Sequence, residues 1–128
     1  MSNSIERGQQ LLTAQNLAVL YIENDLDVRT RVSYYMRENG LRVFESSETT
    51  NGCELFRTNE IDIIMIDLEL PEESGLSFIR CLRGKDLQTP IITTTEYTDQ
   101  KKLIEVINLQ ITQYLVKPYI MTFMELSK

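Results

Sequence analysis

Short apolar runs alternate with longer stretches of helical periodicity along the chain. The runs are too short for helices and rich in β-branched residues, which is typical of strands that are buried on both faces. Strands of that kind belong to parallel sheets covered by helices. The pattern therefore predicts five strands, at residues 17–22, 41–44, 63–66, 89–95 and 113–116.

Between these runs, apolar residues recur at helical spacing. They predict helices over residues 27–39, from Ser47 to about Thr58, over residues 76–82, from residue 98 onward and from about residue 119. We expect Ser47 to cap the second helix, and Gly40 to end the first in the left-handed conformation. Strict alternation of strands and helices predicts an α/β fold. Its five-stranded parallel sheet should have the order 2-1-3-4-5, with helices on both faces.

Composition narrows the class of protein. A chain of 128 residues with 42% hydrophobic and 25% charged residues is long enough for one folded domain. We expect residues 17–128 to form this domain, with a short or truncated final helix. Residues 1–16 should be an extension that is loosely held or helical. Cys53 and Cys81 are expected to be small buried side chains and not a disulfide or a ligand pair.

Charge and the absence of targeting signals limit the partners. The net charge of −6 argues against direct nucleic-acid binding, because phosphate contacts need Lys and Arg. No apolar run approaches membrane-spanning length, and the N-terminus lacks the apolar core of a signal peptide, so we expect a cytoplasmic protein without membrane contact. The chain has no histidine, which excludes histidine-based catalysis and histidine-ligated metal sites.

Polar side chains follow four of the predicted strands where the strands end. In the predicted order, the carboxyl ends of strands 1, 3, 4 and 5 lie side by side, and ligands of open α/β sheets bind there. The residues at these ends are Glu23 and Asn24, Asp67, Thr94 and Thr95, and Lys117. Oxygen ligands suit magnesium, a carboxylate can attack phosphorus, and a lysine can neutralise a phosphoryl group. This set predicts phosphoryl chemistry with magnesium.

Four motifs at these strand ends resemble those of the response-regulator receiver domains of two-component signalling. They are residues 19–25, residues 66–71 with Ser74 and Gly75, residues 90–95, and residues 114–118. Each motif is weak alone, but the four in this order and spacing are a specific signal. The resemblance covers about residues 17–120. It implies a flavodoxin-like (βα)5 sandwich and a protein that is not an enzyme beyond phosphorylating and dephosphorylating itself.

The resemblance also implies a phosphorylation site. Asp67 would be the phosphoacceptor. A single Mg²⁺ would be held by Glu23, the Asn24 side chain, Asp67 and the backbone carbonyl of Glu69. Two close acids without a cation would repel each other, which argues for a bound metal.

The switch residues are implied in the same way. Thr95 would contact the phosphoryl group, and Lys117 would pair with it. The peptide bond before Pro118 would be cis. Tyr114 would move inward on phosphorylation, although Tyr114 is as readily explained as an edge-strand core residue.

The resemblance further implies partners. A sensor histidine kinase or a phosphotransfer protein would supply the phosphoryl group. An output domain, fused in a longer chain, or a separate partner protein would respond to it. Only ten residues follow Pro118, and a truncated last helix would leave part of the sheet under-covered, which would promote a homodimer or an altered packing.

Asn24 is the clearest departure from the family pattern, which has an acid at this position. An amide oxygen still binds magnesium, but one negative charge is lost. This leaves open a degenerate receiver that serves as a phosphate-independent interaction module. A small magnesium phosphohydrolase is a third reading. It is disfavoured because Glu69, the acid two residues after Asp67, occupies the position of the carbonyl ligand.

Overall fold

The computed structural model describes residues 16–70, 75–85 and 88–95, and the backbone alone of residues 113–116. The described strands are β1 (Ala18–Ile22), β2 (Arg42–Ser46), β3 (Ile63–Asp67), β4 (Ile91–Thr95) and β5 (Gln113–Val116). The described helices are α1 (Leu26–Glu38), α2 (Thr49–Thr58) and α3 (Gly75–Arg83). The predicted helices after residue 98 and residue 119, and the extension before residue 16, lie outside the described residues.

The strands form one parallel sheet in the order β2-β1-β3-β4-β5. The central strand β3 pairs with β1 on one side, with Ile22 opposite Ile66, and with β4 on the other, with Asp67 opposite Thr94. The predicted parallel α/β sheet and the order of its first four strands are confirmed. The fifth strand is described by its backbone pairing with β4.

Alternation along the strands divides the core between the two faces of the sheet. On β1, Val19 and Tyr21 pack in the cluster beneath α1, together with Val32 and Met36 of that helix. The other face carries the larger cluster, which includes Leu20 and Ile22 of β1 and apolar residues of α2 and α3. Because both faces are covered, every residue of β1 and β3 is buried. This accounts for the continuous apolar runs in the sequence.

The first helix begins and ends as its sequence signals require. The Asp25 side chain caps α1 by accepting a hydrogen bond from the backbone N–H of Val28, at 3.1 Å. Gly40 follows the helix with φ of 86°, a conformation that favours glycine, as predicted. The helix spans residues 26–38 and thus starts one residue earlier than the periodicity indicated.

Two predictions about α2 and its surroundings are wrong. Ser47 does not cap α2, because the N-cap residue is Glu48, whose side chain makes no capping hydrogen bond. The Ser46 hydroxyl instead donates to the carbonyl of Glu48, at 2.6 Å. The N-cap residue is thus one residue later than predicted, and the helix begins at Thr49. Cys53 and Cys81 do not form a disulfide, but both are exposed and not buried, because they line an open surface pocket together with Phe78 of α3.

None of the helices in the described part of the chain has both the length and the apolar content that crossing a bilayer requires.

Candidate functional site

Two buried carboxylates meet at the carboxyl edge of the sheet. Asp67 is the last residue of β3, and Glu23 directly follows β1. Because Ile22 pairs with Ile66, the two acids occupy the next position on neighbouring strands. Their exposed fractions are 2% for Asp67 and 1% for Glu23. Buried charges are costly unless a positive group or a metal compensates them, so a cation at this edge of the sheet would be stabilised by the two carboxylates.

The chain that leaves β3 is held tightly around Asp67. The backbone N–H of Glu69 donates to Asp67 Oδ1, at 2.9 Å, which orients the carboxylate. The N–H of Leu68 donates to the carbonyl of Thr94, at 2.9 Å, and the N–H of Gly75 donates to the carbonyl of Leu68, at 3.2 Å. The phosphoacceptor predicted from the sequence therefore lies in a turn that is fixed both to β4 and to the start of α3.

Glu23 is fixed from the opposite side by the loop after β1. Its Oε2 accepts a hydrogen bond from the N–H of Asp25, at 3.0 Å. Its backbone carbonyl accepts one from the Arg29 guanidinium, at 2.7 Å. Arg29 also pairs with Glu45, at 3.4 Å, and Glu45 pairs with Arg37, at 2.9 Å. These contacts join the acidic edge to α1 and β2.

Arg29 was missed by the sequence analysis. A signal for it does exist, since an arginine one turn into the first helix can reach back over the strand end that precedes the helix. Arg29 is not one of the predicted ligands, but its guanidinium holds the main chain of Glu23 in place.

Thr95 is fully buried at the end of β4, and its hydroxyl donates a hydrogen bond to the carboxylate of Glu69. The sequence analysis assigned Glu69 only a backbone carbonyl ligand, so this side-chain contact is new. The neighbouring Thr94 is also buried, and its hydroxyl has no hydrogen-bond partner among the described residues. The hydroxyl predicted to contact a phosphoryl group is thus already engaged with a carboxylate.

The pKa of Tyr21 reflects the negative charge at this edge of the sheet. Burial raises the pKa of its hydroxyl far above the ordinary value of 10.0, and the charges of Glu23 and Asp67 raise it further, whereas Arg29 lowers it. Because both carboxylates act on one buried phenol beneath the sheet edge, their fields overlap. A bound cation would relieve this overlap.

Tyr21 leads to a prediction about alkaline stability. Its folded-state pKa is raised, so its contribution is fully present below pH 10 and is lost as the pH rises above the pKa of the unfolded state. Above that pH, the unfolding free energy of the parent protein should fall by up to about 1.4 kcal/mol per pH unit because of Tyr21. We expect Tyr21→Phe to lack this part of the fall. Urea denaturation at several alkaline pH values measures it. Equal slopes in the two proteins would contradict the assignment.

The donor set fits a magnesium ion. Glu23 and Asp67 would offer carboxylate oxygens and the turn after Asp67 would offer the Glu69 carbonyl, while the exposed Asn24 follows Glu23 directly. Within the described ranges, no group of three or more Asp, Glu, Cys or His side chains is placed to bind a metal. A cation here would accordingly rely on amide, carbonyl and water oxygens beside two acids, which is the coordination magnesium accepts.

Three predicted residues lie beyond this description. Lys117 and Pro118, including the predicted cis peptide, lie outside the described residues. Tyr114 is described by its backbone alone, within β5 and opposite Thr93. The backbone pairing of Thr95 with Val116 nevertheless brings the end of β5 beside the end of β4.

Comparison of the sequence with known proteins points to one family. Residues 19–126 match the model of the response regulator receiver domain. The chain is 25% identical to the transcriptional regulatory protein DltR of Streptococcus agalactiae and 27% identical to the transcriptional regulatory protein PhoP of Escherichia coli, each over 103 residues. Both alignments cover 80% of this chain but 46% of the relative, so the chain spans about half the length of these curated relatives.

Solved structures agree with this match. The chemotaxis protein CheY4 of Vibrio cholerae is similar with a TM-score of 0.76 and 25% identity, over 80% of this chain and 88% of that one. The signal receiver domain of an HD domain-containing protein from Pseudomonas fluorescens has a TM-score of 0.79 at 19% identity, over 88% and 91% of the two chains. The latter shows the fold alone. The predicted flavodoxin-like α/β fold with a parallel sheet is confirmed.

Proposed function

We propose, from the premise that this chain belongs to the response regulator receiver domain family, that it accepts a phosphoryl group on Asp67 in two-component signalling. The observation that carries the assignment to this residue is its place in the fold. Asp67 is a buried carboxylate at the carboxyl end of the central strand, next to the buried carboxylate of Glu23 and opposite Thr94 of β4.

The chemistry follows from these groups. A carboxylate oxygen of Asp67 attacks the phosphorus atom of a donor, the bond to the donor's nitrogen or oxygen breaks, and an acyl phosphate forms. The Glu69 N–H keeps the carboxylate oriented during this step. In the proposed site, Thr95 then donates a hydrogen bond to a phosphoryl oxygen, Lys117 pairs with the phosphoryl charge, and Tyr114 follows Thr95 inward.

Magnesium is part of the proposal. When bound, the ion neutralises charge on the transferring phosphoryl group. Glu23, Asn24, Asp67 and the Glu69 carbonyl would hold it. Arg29 contributes by fixing the main chain of Glu23 through a hydrogen bond of 2.7 Å, so that the first ligand is positioned before the ion arrives.

The partners follow from this role. A sensor histidine kinase or a phosphotransfer protein supplies the phosphoryl group in the cytoplasm. An output domain or a partner protein, or a second copy of the chain, responds when phosphorylation shifts the conformational equilibrium of the domain. The names of DltR and PhoP describe transcriptional regulators, which makes an output of that kind a reasonable candidate.

Intact-mass spectrometry tests the function directly. The protein is incubated with acetyl phosphate and magnesium, and in parallel with acetyl phosphate and EDTA. We expect the mass of one phosphoryl group to be added in the first sample and not in the second. The absence of any mass gain at saturating magnesium would overturn the proposal. Steady hydrolysis of a phosphate ester such as p-nitrophenyl phosphate, in large excess over protein, would instead indicate a phosphohydrolase.

A degenerate receiver is the second candidate, and Asn24 is the observation that favours it. If the amide weakens magnesium binding too far, the domain would act as a phosphate-independent docking module. The same fold would then present a binding surface that does not change with phosphorylation. Absence of phosphorylation from both acetyl phosphate and a histidine kinase would favour this candidate.

Asn24→Asp provides the corresponding prediction. A third carboxylate beside Glu23 and Asp67 adds negative charge to the metal site, so we expect magnesium to bind about tenfold more tightly, the effect of roughly 1.4 kcal/mol. Isothermal titration calorimetry at fixed ionic strength measures the affinity. Asp27, exposed in the first turn of α1, allows the opposite control through Asp27→Asn, which should leave the affinity unchanged. An unchanged affinity in Asn24→Asp would show that residue 24 is not a ligand.

A further inference from the structure

The hydrogen bond between Thr95 and Glu69 engages the hydroxyl that, in the proposed site, donates a hydrogen bond to the phosphoryl group. Thr95 lies at the end of β4 and is completely buried, and its hydroxyl donates to Glu69 Oε1 across 26 residues of sequence. The main chain of the same glutamate donates to Asp67 Oδ1, at 2.9 Å. Asp67, Glu69 and Thr95 are therefore linked in one hydrogen-bonded chain.

The Thr95 hydroxyl can donate only one strong hydrogen bond at a time. A threonine hydroxyl has one hydrogen to donate, so Thr95 cannot serve the Glu69 carboxylate and a phosphoryl oxygen at full strength together. A phosphoryl group on Asp67 also adds negative charge close to Glu69, and like charges at this distance repel. Glu69 is half-buried, so its side chain has a route to solvent.

We propose that the Glu69 side chain is an internal competitor of the phosphoryl group for the Thr95 hydroxyl, holding the domain in its unphosphorylated conformation until phosphorylation displaces it. This inference rests on the proposed function, since it concerns the same site. It assigns to Glu69 a positioning and regulatory role, distinct from its backbone carbonyl. The released carboxylate turns towards solvent, and the surface at the ends of β3 and β4 changes its charge pattern.

A double-mutant cycle in the unphosphorylated protein tests the hydrogen bond itself. Unfolding by urea is measured for the parent, Glu69→Ala, Thr95→Val and the double variant. We expect the two substitutions to be non-additive, with a coupling of about tenfold in the unfolding equilibrium constant, the size of a hydrogen bond to a charged acceptor. Additive effects would overturn the proposal, because the two side chains would then not interact.

The same four proteins test the competition. We expect Glu69→Ala to raise the phosphorylated fraction at limiting acetyl phosphate about threefold to tenfold, since Thr95 then serves the phosphoryl group alone. In the Thr95→Val background the same change should give a clearly smaller rise, because only the charge repulsion is then relieved. An equal rise in both backgrounds would overturn the proposal, because Glu69 would then act only by repelling the anionic donor.

A matched control separates charge from position. Glu60 is exposed and precedes β3, at the opposite edge of the sheet, so Glu60→Ala removes the same charge far from the site. We expect it to leave the phosphorylated fraction unchanged. If none of the proteins is phosphorylated, both the proposed function and the competition fail. A coupling that survives in the unfolding experiment would then assign that failure to the phosphorylation chemistry and not to the contact.

Discussion

Replacing Asp67 with Asn should abolish phosphorylation completely while leaving the fold intact. An amide lacks the nucleophilic carboxylate oxygen, so no acyl phosphate can form. Asn keeps the size of Asp, and its carbonyl oxygen can still accept the hydrogen bond that the N–H of Glu69 donates at 2.9 Å. The substitution also removes one of two adjacent buried charges, so the free energy of unfolding should stay equal or rise. Intact-mass spectrometry with acetyl phosphate and magnesium measures the first effect, and urea denaturation the second.

Asp62 offers a control with the same chemical change. It is exposed at the other end of β3, where its carboxylate accepts a hydrogen bond from the N–H of Ala18, at 2.7 Å. Asp62→Asn should be phosphorylated like the parent protein. A phosphorylated Asp67→Asn protein would show that another residue is the acceptor, and the proposed role of the β3 end would be wrong.

Gly75→Ala should destabilise the domain and slow phosphorylation at once. A Cβ at this position would lie 2.3 Å from the carbonyl oxygen of Asp67 and 2.9 Å from Cα of Leu68. Both are backbone atoms, so the turn after Asp67 must move. Overpacking of this kind costs about 1–3 kcal/mol. Alanine is better than glycine in helices by about 1 kcal/mol, but Gly75 is only the first residue of α3, where that gain is small. Urea denaturation and the rate of mass gain with acetyl phosphate measure the two effects.

Gly84 is the matched position for this test. A Cβ there would be 3.4 Å from the carbonyl oxygen of Cys81, an ordinary contact, and the residue lies just after α3. Gly84→Ala should be neutral or stabilise by up to about 1 kcal/mol, because alanine restricts the unfolded chain. If Gly75→Ala were as stable as Gly84→Ala, the close packing between α3 and the end of β3 would not contribute to the free energy of unfolding.

The strands and the carboxylate at the end of β3 could be predicted because their signals are local. A short β-branched run that ends in a carboxylate, as at Ile63–Asp67, already indicates a buried parallel strand with a polar end. Glycine in a left-handed conformation after α1 is equally local, and Gly40 was predicted correctly. The start of α2 was not, because it depends on whether Ser46 or Ser47 binds the peptide of Glu48. The sequence offers two equivalent hydroxyls there.

The side-chain contacts of the site could not be predicted, because they join residues that are distant in sequence. Thr95 and Glu69 meet only because β4 lies beside β3 in a register that pairs Asp67 with Thr94. Shifting that register by one residue would turn Thr95 to the other face of the sheet.

The sequence by itself determined the α/β fold, the order of the first four strands, and the place of Asp67 and Glu23 at one edge of the sheet. These follow from periodicity and from the handedness of parallel connections. Only the tertiary structure decided that Arg29 holds Glu23, that Gly75 packs against the main chain of Asp67, and that Glu69 engages Thr95. The physical reason is that hydrogen bonds and close contacts depend on tenths of an ångström in register and packing, which no local pattern encodes.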